Sequence, residues 1–199
     1  MNTVYKTIQN NATITIREQS SRFIGLSYAV LSEDEIKTII SNLRKKYYDA
    51  THVCYAYQIG EIEKKYRAND DGEPTNTAGK PIYGQIIARD ITNVLVVVVR
   101  YFGGTKLGVG GLIKAYKQTA HEVLELAGIK EVQIFKRIEI ICEYAQIGFI
   151  LRELKLKQVV IVKQIQTEKI TLDVKIPINN YEFLISFFEV NQIAINYES

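Results

Sequence analysis

The chain has 199 residues, 47% of them hydrophobic and 24% charged, which is enough apolar material for two small cores or one large core. Its formal charge of +3 lies entirely in residues 1–128, where 16 Lys and Arg face 13 Asp and Glu, whereas residues 129–199 hold 9 of each. The sequence has no bilayer-length apolar run, no signal core and no CxxC pattern, so we expect a cytoplasmic protein without membrane contact or a disulfide framework.

The first half of the sequence predicts a mixture of strands and helices. Residues 11–17 and 22–30 are predicted to form paired strands, and Ser32 with Glu35 forms a capping box at the start of a helix. Three cations end that helix and complement its dipole, which is a simpler interpretation than an RNA contact: Arg44, Lys45 and Lys46. The sequence then predicts strands over 52–59 and 63–68, an acidic turn, a helix from near Pro81, and a strand over 93–101.

The most informative segment is residues 96–116, VVVVRYFGGTKLGVGGLIKAY. Four consecutive valines predict a strand that is covered on both faces. Five glycines follow within nine positions, and the chain then enters a long helix that is expected to end at Gly128. The apolar face of this helix is predicted from residues spaced three and four apart: Leu112, Tyr116, Ala120, Val123 and Ala127.

The last part of the chain predicts a βαββαβ order. It begins with a strand over 132–142, a helix bearing Ile147, Ile150, Leu151 and Leu154, and strands over 158–165 and 169–176. A short helix capped by Asn180 and a last strand near Ile193 follow. We therefore predict an α+β protein of two domains, residues 1–128 and a ferredoxin-like domain of residues 129–199.

The glycine-rich loop is a candidate anion site, because backbone amides at a helix N-terminus attract negative charge. We predict that Arg100 is a bidentate contact and Lys106 a movable charge. The full set predicted to contact nucleic acid or another anion is Arg22, Arg67, Arg100, Gly103, Gly104, Lys106, Gly108, Gly110, Gly111 and Lys114. The alternative is that the glycines only pack the strand against the helix. The loop matches neither the Walker A nor the GxGxxG pattern, which argues against a nucleotide-binding catalytic loop.

A second candidate is the acidic loop, in which Asp70, Asp71 and Glu73 place three carboxylates within four residues. Such a set suits Mg²⁺ or acid–base chemistry, but Asp-Gly followed by Glu-Pro is also typical of a surface turn, which we favour. The two histidines, His52 and His121, stand in no metal-ligand spacing, and no nucleophile motif is visible. We therefore expect no metal, no cofactor and no enzymatic activity, unless the acidic and glycine-rich loops converge on a phosphorylated ligand.

Several motifs occur together in a specific order: SRFIG at 21–25, THVCYAY at 51–57, NDDGEP and TAGKPI within 67–82, and then RYFGGTKLGVGG. Over roughly residues 15–128 this set resembles the Impact family, in its bacterial YigZ-like branch. Two positions depart from the family pattern. Ser20 stands where lysine is frequent, and Thr75-Asn76 replaces a Ser-Gly pair.

The resemblance implies a first domain folded like domain IV of elongation factor G and a second domain like its domain V. It also implies translation regulation, because the eukaryotic relatives act as translational regulators through a ribosome-associated protein. We therefore predict a non-enzymatic regulator that binds RNA or the ribosome through the basic glycine-rich site, with no DNA sequence specificity. The alternatives are a regulator that binds a translation-factor protein, and an enzyme that acts on a phosphorylated ligand.

Overall fold

A computed structural model describes residues 3–197 of the chain, which divide into two compact units. The larger unit is Tyr5–Val132, and the smaller runs from Gln133 to the end of the described chain and includes Thr3 and Val4. Both units mix helices with β-sheet, so the α+β prediction is confirmed. The division falls after Val132 and not after Gly128, because a strand that follows Gly128 pairs with the first strand of the chain.

The larger unit is built on a five-stranded antiparallel sheet. Its strands are β2 (Ala12–Glu18), β3 (Ser21–Ala29), β4 (His52–Ile59), β5 (Lys65–Asn69) and β6 (Val94–Tyr101), in the order β2-β3-β6-β4-β5. A separate two-stranded sheet joins β1 (Val4–Ile8) to β7 (Ile129–Gln133). Three helices complete the unit: α1 (Glu33–Lys46), α2 (Gly79–Ala88) and α3 (Gly108–Ala127).

The central strand β6 is covered on both faces, as its run of valines predicts. Val96 and Val98 pack with α2 and α3, whereas Val97 and Val99 point to the opposite face and pack with α1. All four valines are fully buried. The sheet therefore presents one face to α2 and α3 and the other to α1, and alternate residues of β3, β4 and β6 fall on opposite sides.

The ends of α1 and α3 follow the sequence prediction. The backbone N–H of Glu35 donates to the Ser32 hydroxyl, and the Glu35 carboxylate accepts from the backbone of Leu31, so both partners of the capping box hold the start of α1. The five apolar residues predicted for α3 are all buried, and Gly128 ends that helix with a positive φ of 66°.

The smaller unit has the predicted ferredoxin-like order. Its elements are β8 (Phe135–Cys142), α4 (Ile147–Leu156), β9 (Val160–Gln166), β10 (Ile170–Pro177), α5 (Ile178–Val190) and β11 (Ala194–Tyr197), and the sheet order is β11-β8-β10-β9. One face of this sheet packs on α4 and α5 around a core that includes Ile140, Leu172 and Phe188.

Three details differ from the sequence prediction. The strand β1 was not predicted, and the single strand expected over 132–142 is two strands, β7 and β8, interrupted at the buried Ile134. Asn180 does not cap α5, because the helix already begins at Ile178 after Pro177. The Asn180 amide donates instead to the backbone carbonyl of Lys157, at the end of α4.

Among residues 3–197, no helix is long and apolar enough to cross a membrane.

Candidate functional site

The acidic loop between β5 and α2 is tied to the protein by its own carboxylates. Asp70 accepts three backbone N–H groups, from Asn76, Ala78 and Gly79, at 2.8, 3.0 and 2.8 Å. The N-cap residue of α2 is Ala78, which has no side-chain oxygen, so Asp70 supplies the missing acceptor for the first turn of that helix. The carboxylate of Asp70 is thus part of the fold of the loop.

Asp71 braces the same loop against two other elements. One of its oxygens accepts the backbone N–H of Val53 on β4 at 2.6 Å, and the other pairs with Arg44 at the end of α1. Arg44 is therefore paired with a carboxylate of the acidic loop, a contact that neither interpretation of its cluster, the helix dipole or an RNA contact, included. Among residues 3–197, no group of three or more His, Cys, Asp or Glu side chains is placed to hold a metal ion.

Glu73 is the centre of a buried polar cluster. Only 8% of the residue is exposed, and its Oε1 accepts from the Arg100 guanidinium and from the Tyr116 hydroxyl, each at 2.7 Å. The Nε2 atom of His52 lies 3.9 Å from the same oxygen. The cluster joins the acidic loop to β6, α3 and β4. The acidic loop therefore does lie next to the strand that leads into the glycine-rich loop, and the contact between them is the buried ion pair of Glu73 with Arg100.

The thiol of Cys54 belongs to this cluster and is kept protonated. Its Sγ lies 3.0 Å from the Asp70 carbonyl and 3.4 Å from the Tyr116 hydroxyl. Burial raises the pKa of the Cys54 thiol and of the Tyr116 hydroxyl well above their ordinary values, because both anions are costly away from water. Since the thiolate is the reactive form of cysteine, this environment makes Cys54 a structural group.

Arg100 is buried, and it helps to position the glycine-rich loop. It is 5% exposed, and besides its ion pair with Glu73 it donates to the Ser21 hydroxyl at 3.4 Å. The same hydroxyl accepts the backbone N–H of Gly103 at 3.3 Å. Arg100 therefore connects the buried cluster to the first residues of the loop, and its guanidinium is already occupied by a carboxylate.

The five glycines serve two purposes. A Cβ atom at Gly103 would overlap the backbone carbonyl of Ser20, so this glycine is required for close packing of two loops. Gly104, Gly108 and Gly110 have open space around them, and all three are exposed. Gly111 lies against Leu107. The packing interpretation thus holds for the start of the loop, whereas its end leaves backbone free to approach another molecule.

The N-terminal end of α3 is exposed and carries no acid. The helix begins at Gly108 with the turn Gly-Val-Gly-Gly, and its N-cap residue Leu107 provides no side-chain hydrogen bond. Lys106 and Lys114 are exposed beside this turn, and neither forms an ion pair within residues 3–197. Helix amides that lack a partner and two unpaired ammonium groups give this end of α3 a positive local field.

The other two predicted cations lie apart from this end of α3. Arg22 is on β3, where its guanidinium stacks over the Tyr101 ring at 4.2 Å, on the face of the sheet that carries α1. Arg67 is on the edge strand β5, directly across from Tyr57 and two strands from β6. The structure therefore groups Lys106 and Lys114 with the open glycines, places Arg22 at the rim, and leaves Arg67 at a distance.

Several residues of the cluster were not singled out from the sequence. Ser21 was noted only as part of the SRFIG motif, Tyr116 only as part of an apolar helix face, and His52 only as the start of a strand. One signal was available: an arginine directly after four buried valines needs a carboxylate partner, because a buried unpaired charge is very costly. That argument does not say which of the nearby acids provides it.

The departure at Asn76 also has a structural explanation. Asn76 has a positive φ of 65°, in the left-handed region where glycine is most easily accommodated. Asparagine tolerates this conformation better than most other residues with a side chain, so it suits a position where the family pattern has glycine.

These features define a two-unit α+β protein in which a buried ion-pair cluster anchors an exposed glycine-rich loop at the start of a long helix. In sequence, residues 19–124 match the family described as the Impact N-terminal domain. The IMPACT family member YvyE of Bacillus subtilis is 38% identical over 154 residues, which cover 77% of this chain and 71% of that protein. The chain belongs to the Impact family, as its motifs predicted.

Other relatives extend the comparison. The IMPACT family member YigZ of Escherichia coli is 33% identical over 140 residues, or 68% of this chain and 69% of that protein. A crystal structure described as a hypothetical protein superposes with a TM-score of 0.73 at 25% identity, covering 100% of this chain and 99% of the other. A structure described as the two-domain translational regulator Yih1 is 29% identical, with a TM-score of 0.39, over 62% of this chain and 47% of that one.

Proposed function

We propose that this protein is a translation-associated factor that binds the phosphate backbone of RNA at the N-terminal end of α3. Its family includes a protein described as a translational regulator, of which the aligned part of this chain covers less than half. The observation that carries the proposal is the exposed first turn of α3, with open space at Gly108 and Gly110 and unpaired lysines at Lys106 and Lys114.

The chemistry of this surface suits an oxyanion more than a base. Backbone N–H groups at a helix start and ammonium groups are all donors, and they complement a phosphate oxygen through charge-assisted hydrogen bonds. A phosphate contact carries no sequence information, so we expect little preference for base sequence. The exposed ring of Phe102, next to the loop, is placed where an unstacked base of a single strand can lie.

Arg100 has a different part in this proposal from the one expected from the sequence. Its guanidinium is paired with Glu73, so it does not contact phosphate directly, and it holds the loop through the Ser21 hydroxyl. The direct contacts are assigned to Lys106, Lys114 and the amides of the first turn. With two ammonium contacts, the slope of log affinity against log salt is expected near −1.4, from about −0.7 for each single-strand contact.

The test is fluorescence anisotropy with a labelled single-stranded oligouridine over a series of salt concentrations. Lys106→Ala is expected to weaken binding and to flatten the salt slope by about 0.7. Gly110→Val is expected to weaken binding with every charge retained, because its side chain occupies the space above the first turn. Arg67→Ala is the matched control, since it removes one exposed cation far from the loop.

Two results would contradict the proposal. One is no binding by the wild-type protein at low salt, which would favour a protein partner. The other is an equal loss of affinity in Arg67→Ala and Lys106→Ala, since binding would then follow net charge and not this site.

A further inference from the structure

A groove of about 300 Å³ lies between α2 and α3, beyond the first turn of α3. It is lined by five side chains, all of them polar: Gln85, Lys114, Lys117, Gln118 and His121. Lys114, Lys117 and His121 follow one another at helical spacings of three and four, so they lie along one face of α3. The groove is therefore a continuation of the basic surface at the start of this helix, over about 20 Å from Gly108 to His121 at ~1.5 Å per residue.

The side chain of Gln85 is the most informative feature of the groove. The residue is only 8% exposed, and its Oε1 accepts from Arg89 Nη1 at 3.2 Å. Because a guanidinium can only donate, the carboxamide oxygen must face Arg89, and the NH2 group is left on the other side. That NH2 group makes no hydrogen bond within residues 3–197, and its nitrogen is not among the buried atoms that lack a partner, so it is open to the groove that Gln85 lines.

His121 is oriented by the same arginine. Its Nδ1 lies 2.9 Å from Arg89 Nη2, so Nδ1 accepts and the proton of the neutral ring is on Nε2. Arg89 in turn pairs with Glu125 at 2.6 Å, and this carboxylate is thereby neutralised. Arg89 thus fixes two donors, the Gln85 amide and the His121 ring, on the wall of the groove.

The charges of the groove are positive. Lys114 and Lys117 are exposed and form no ion pair within the described part of the chain. The nearest carboxylate on the same stretch of α3 is Glu122, which accepts from the Gln118 amide at 2.5 Å. Two ammonium groups, an unpaired carboxamide NH2 and an imidazole N–H are all donors, and a set of donors around a small groove is complementary to a phosphate group.

We propose that this groove is a second phosphate subsite, which takes a further backbone phosphate of the RNA strand bound at the start of α3. The inference rests on the proposed function and adds three contacts to it, from Gln85, Lys117 and His121. The two subsites lie along one helix, so a single extended strand reaches both. A phosphodiester and not a base is assigned to the groove, because two lysines, an amide and an imidazole offer donors and no Phe, Tyr or Trp ring lines the groove for stacking.

The experiment is a two-dimensional NMR titration of the wild-type protein with a short single-stranded oligouridine. We expect the side-chain NH2 resonances of Gln85 to shift as RNA is added. The control is the NH2 group of Gln58, which is buried and already donates to the Ile91 carbonyl at 2.9 Å, and which should not move. A parallel titration with inorganic phosphate should shift Gln85 much less, and equal shifts would make this a site for free phosphate and overturn the assignment to RNA.

Anisotropy measurements on variants separate this inference from the proposed function. With Lys117 as a third ammonium contact, the expected wild-type slope becomes about −2.1 instead of about −1.4, and Lys117→Ala should weaken oligouridine binding several-fold and return the slope to about −1.4. Gln85→Leu should weaken binding with the slope unchanged, because no charge is removed. Lys45→Ala, at an exposed lysine of α1 that has no ion pair within residues 3–197, is the charge-matched control and should change neither quantity. Absence of wild-type binding would overturn both proposals. Weakening by Lys106→Ala, with Lys117→Ala and Gln85→Leu both at wild-type affinity, would overturn the second subsite alone.

Discussion

Removing one partner of the buried pair between Glu73 and Arg100 is expected to destabilise the larger unit strongly. The side chains are 3% and 6% exposed, and the charged atoms lie 2.7 Å apart. At an effective dielectric constant of about 20, two unit charges at this distance attract with about 6 kcal/mol. Glu73→Gln keeps the size of the side chain and an acceptor for Tyr116, but it leaves the Arg100 charge buried without a counter-charge.

We therefore expect Glu73→Gln to lower the free energy of unfolding by about 3–5 kcal/mol, as for other buried pairs that lose one partner. The measurement is urea denaturation followed by circular dichroism. Adding Arg100→Met to Glu73→Gln should recover much of the loss, because the unpaired charge is then removed as well. The double-mutant cycle separates the ion pair from the loss of either side chain by itself.

The control is the exposed pair between Lys64 and Asp90, with side chains 37% and 75% exposed. Asp90→Asn keeps a residue that tolerates the positive φ of 49° at that position, and it should cost at most about 1 kcal/mol, as surface ion pairs do. If Glu73→Gln proves as mild as Asp90→Asn, the reasoning from burial is wrong, and the Arg100 charge must reach water by a route that the structure does not show.

Three further predictions concern other parts of the molecule. Gly103→Ala should destabilise the protein by about 1–3 kcal/mol, because the added methyl group overlaps Ser20. Gly110→Ala should be neutral or stabilising by up to about 1 kcal/mol, because the position has open space. Thermal unfolding that ranks the two variants the other way would contradict this. Burial and, to a smaller extent, the hydrogen bond to Glu33 raise the pKa of Tyr57 to about 12 from its ordinary value of 10.0. Because the unfolded state loses this proton at a lower pH than the folded state, the free energy of unfolding should fall as the pH rises between those values. Tyr57→Phe should remove that part of the alkaline loss in denaturation curves, and an unchanged profile would exclude Tyr57 as its source. We also propose that residues 133–199 fold alone, because their βαββαβ sheet closes its own core, and a soluble fragment without a cooperative thermal transition would argue against this.

The sequence was sufficient for most of the architecture because the strongest signals are local. The valine run of β6, the capping box of α1 and the glycine that ends α3 each depend on neighbours within a few residues. Strand β1 was missed because five residues with little alternation give a weak signal, and its partner β7 lies more than a hundred residues away. Long-range pairing of short strands has no counterpart in local periodicity.

The candidate site was predicted less well, for a related reason. The sequence indicated Arg100 as a contact for an external anion, and it indicated the acidic loop as a surface turn. Each interpretation treated its own segment alone, whereas the fold brings the segments together, so that the anion of Arg100 is Glu73. The unpaired Gln85 amide has no sequence signature at all, because only the position of Arg89 decides which way the carboxamide turns.

The carboxylate of Asp70 has a consequence for how the molecule opens. It holds the amides of Asn76, Ala78 and Gly79 at once, and within the described part of the chain no other acceptor binds these amides. The hydrogens of these amides can therefore exchange with solvent only when the Asp70 side chain is released. Because that release is a single event, hydrogen exchange should give the same opening free energy for all three amides. The acidic loop and the first turn of α2 form one cooperative unit, whose local stability is set by one carboxyl group.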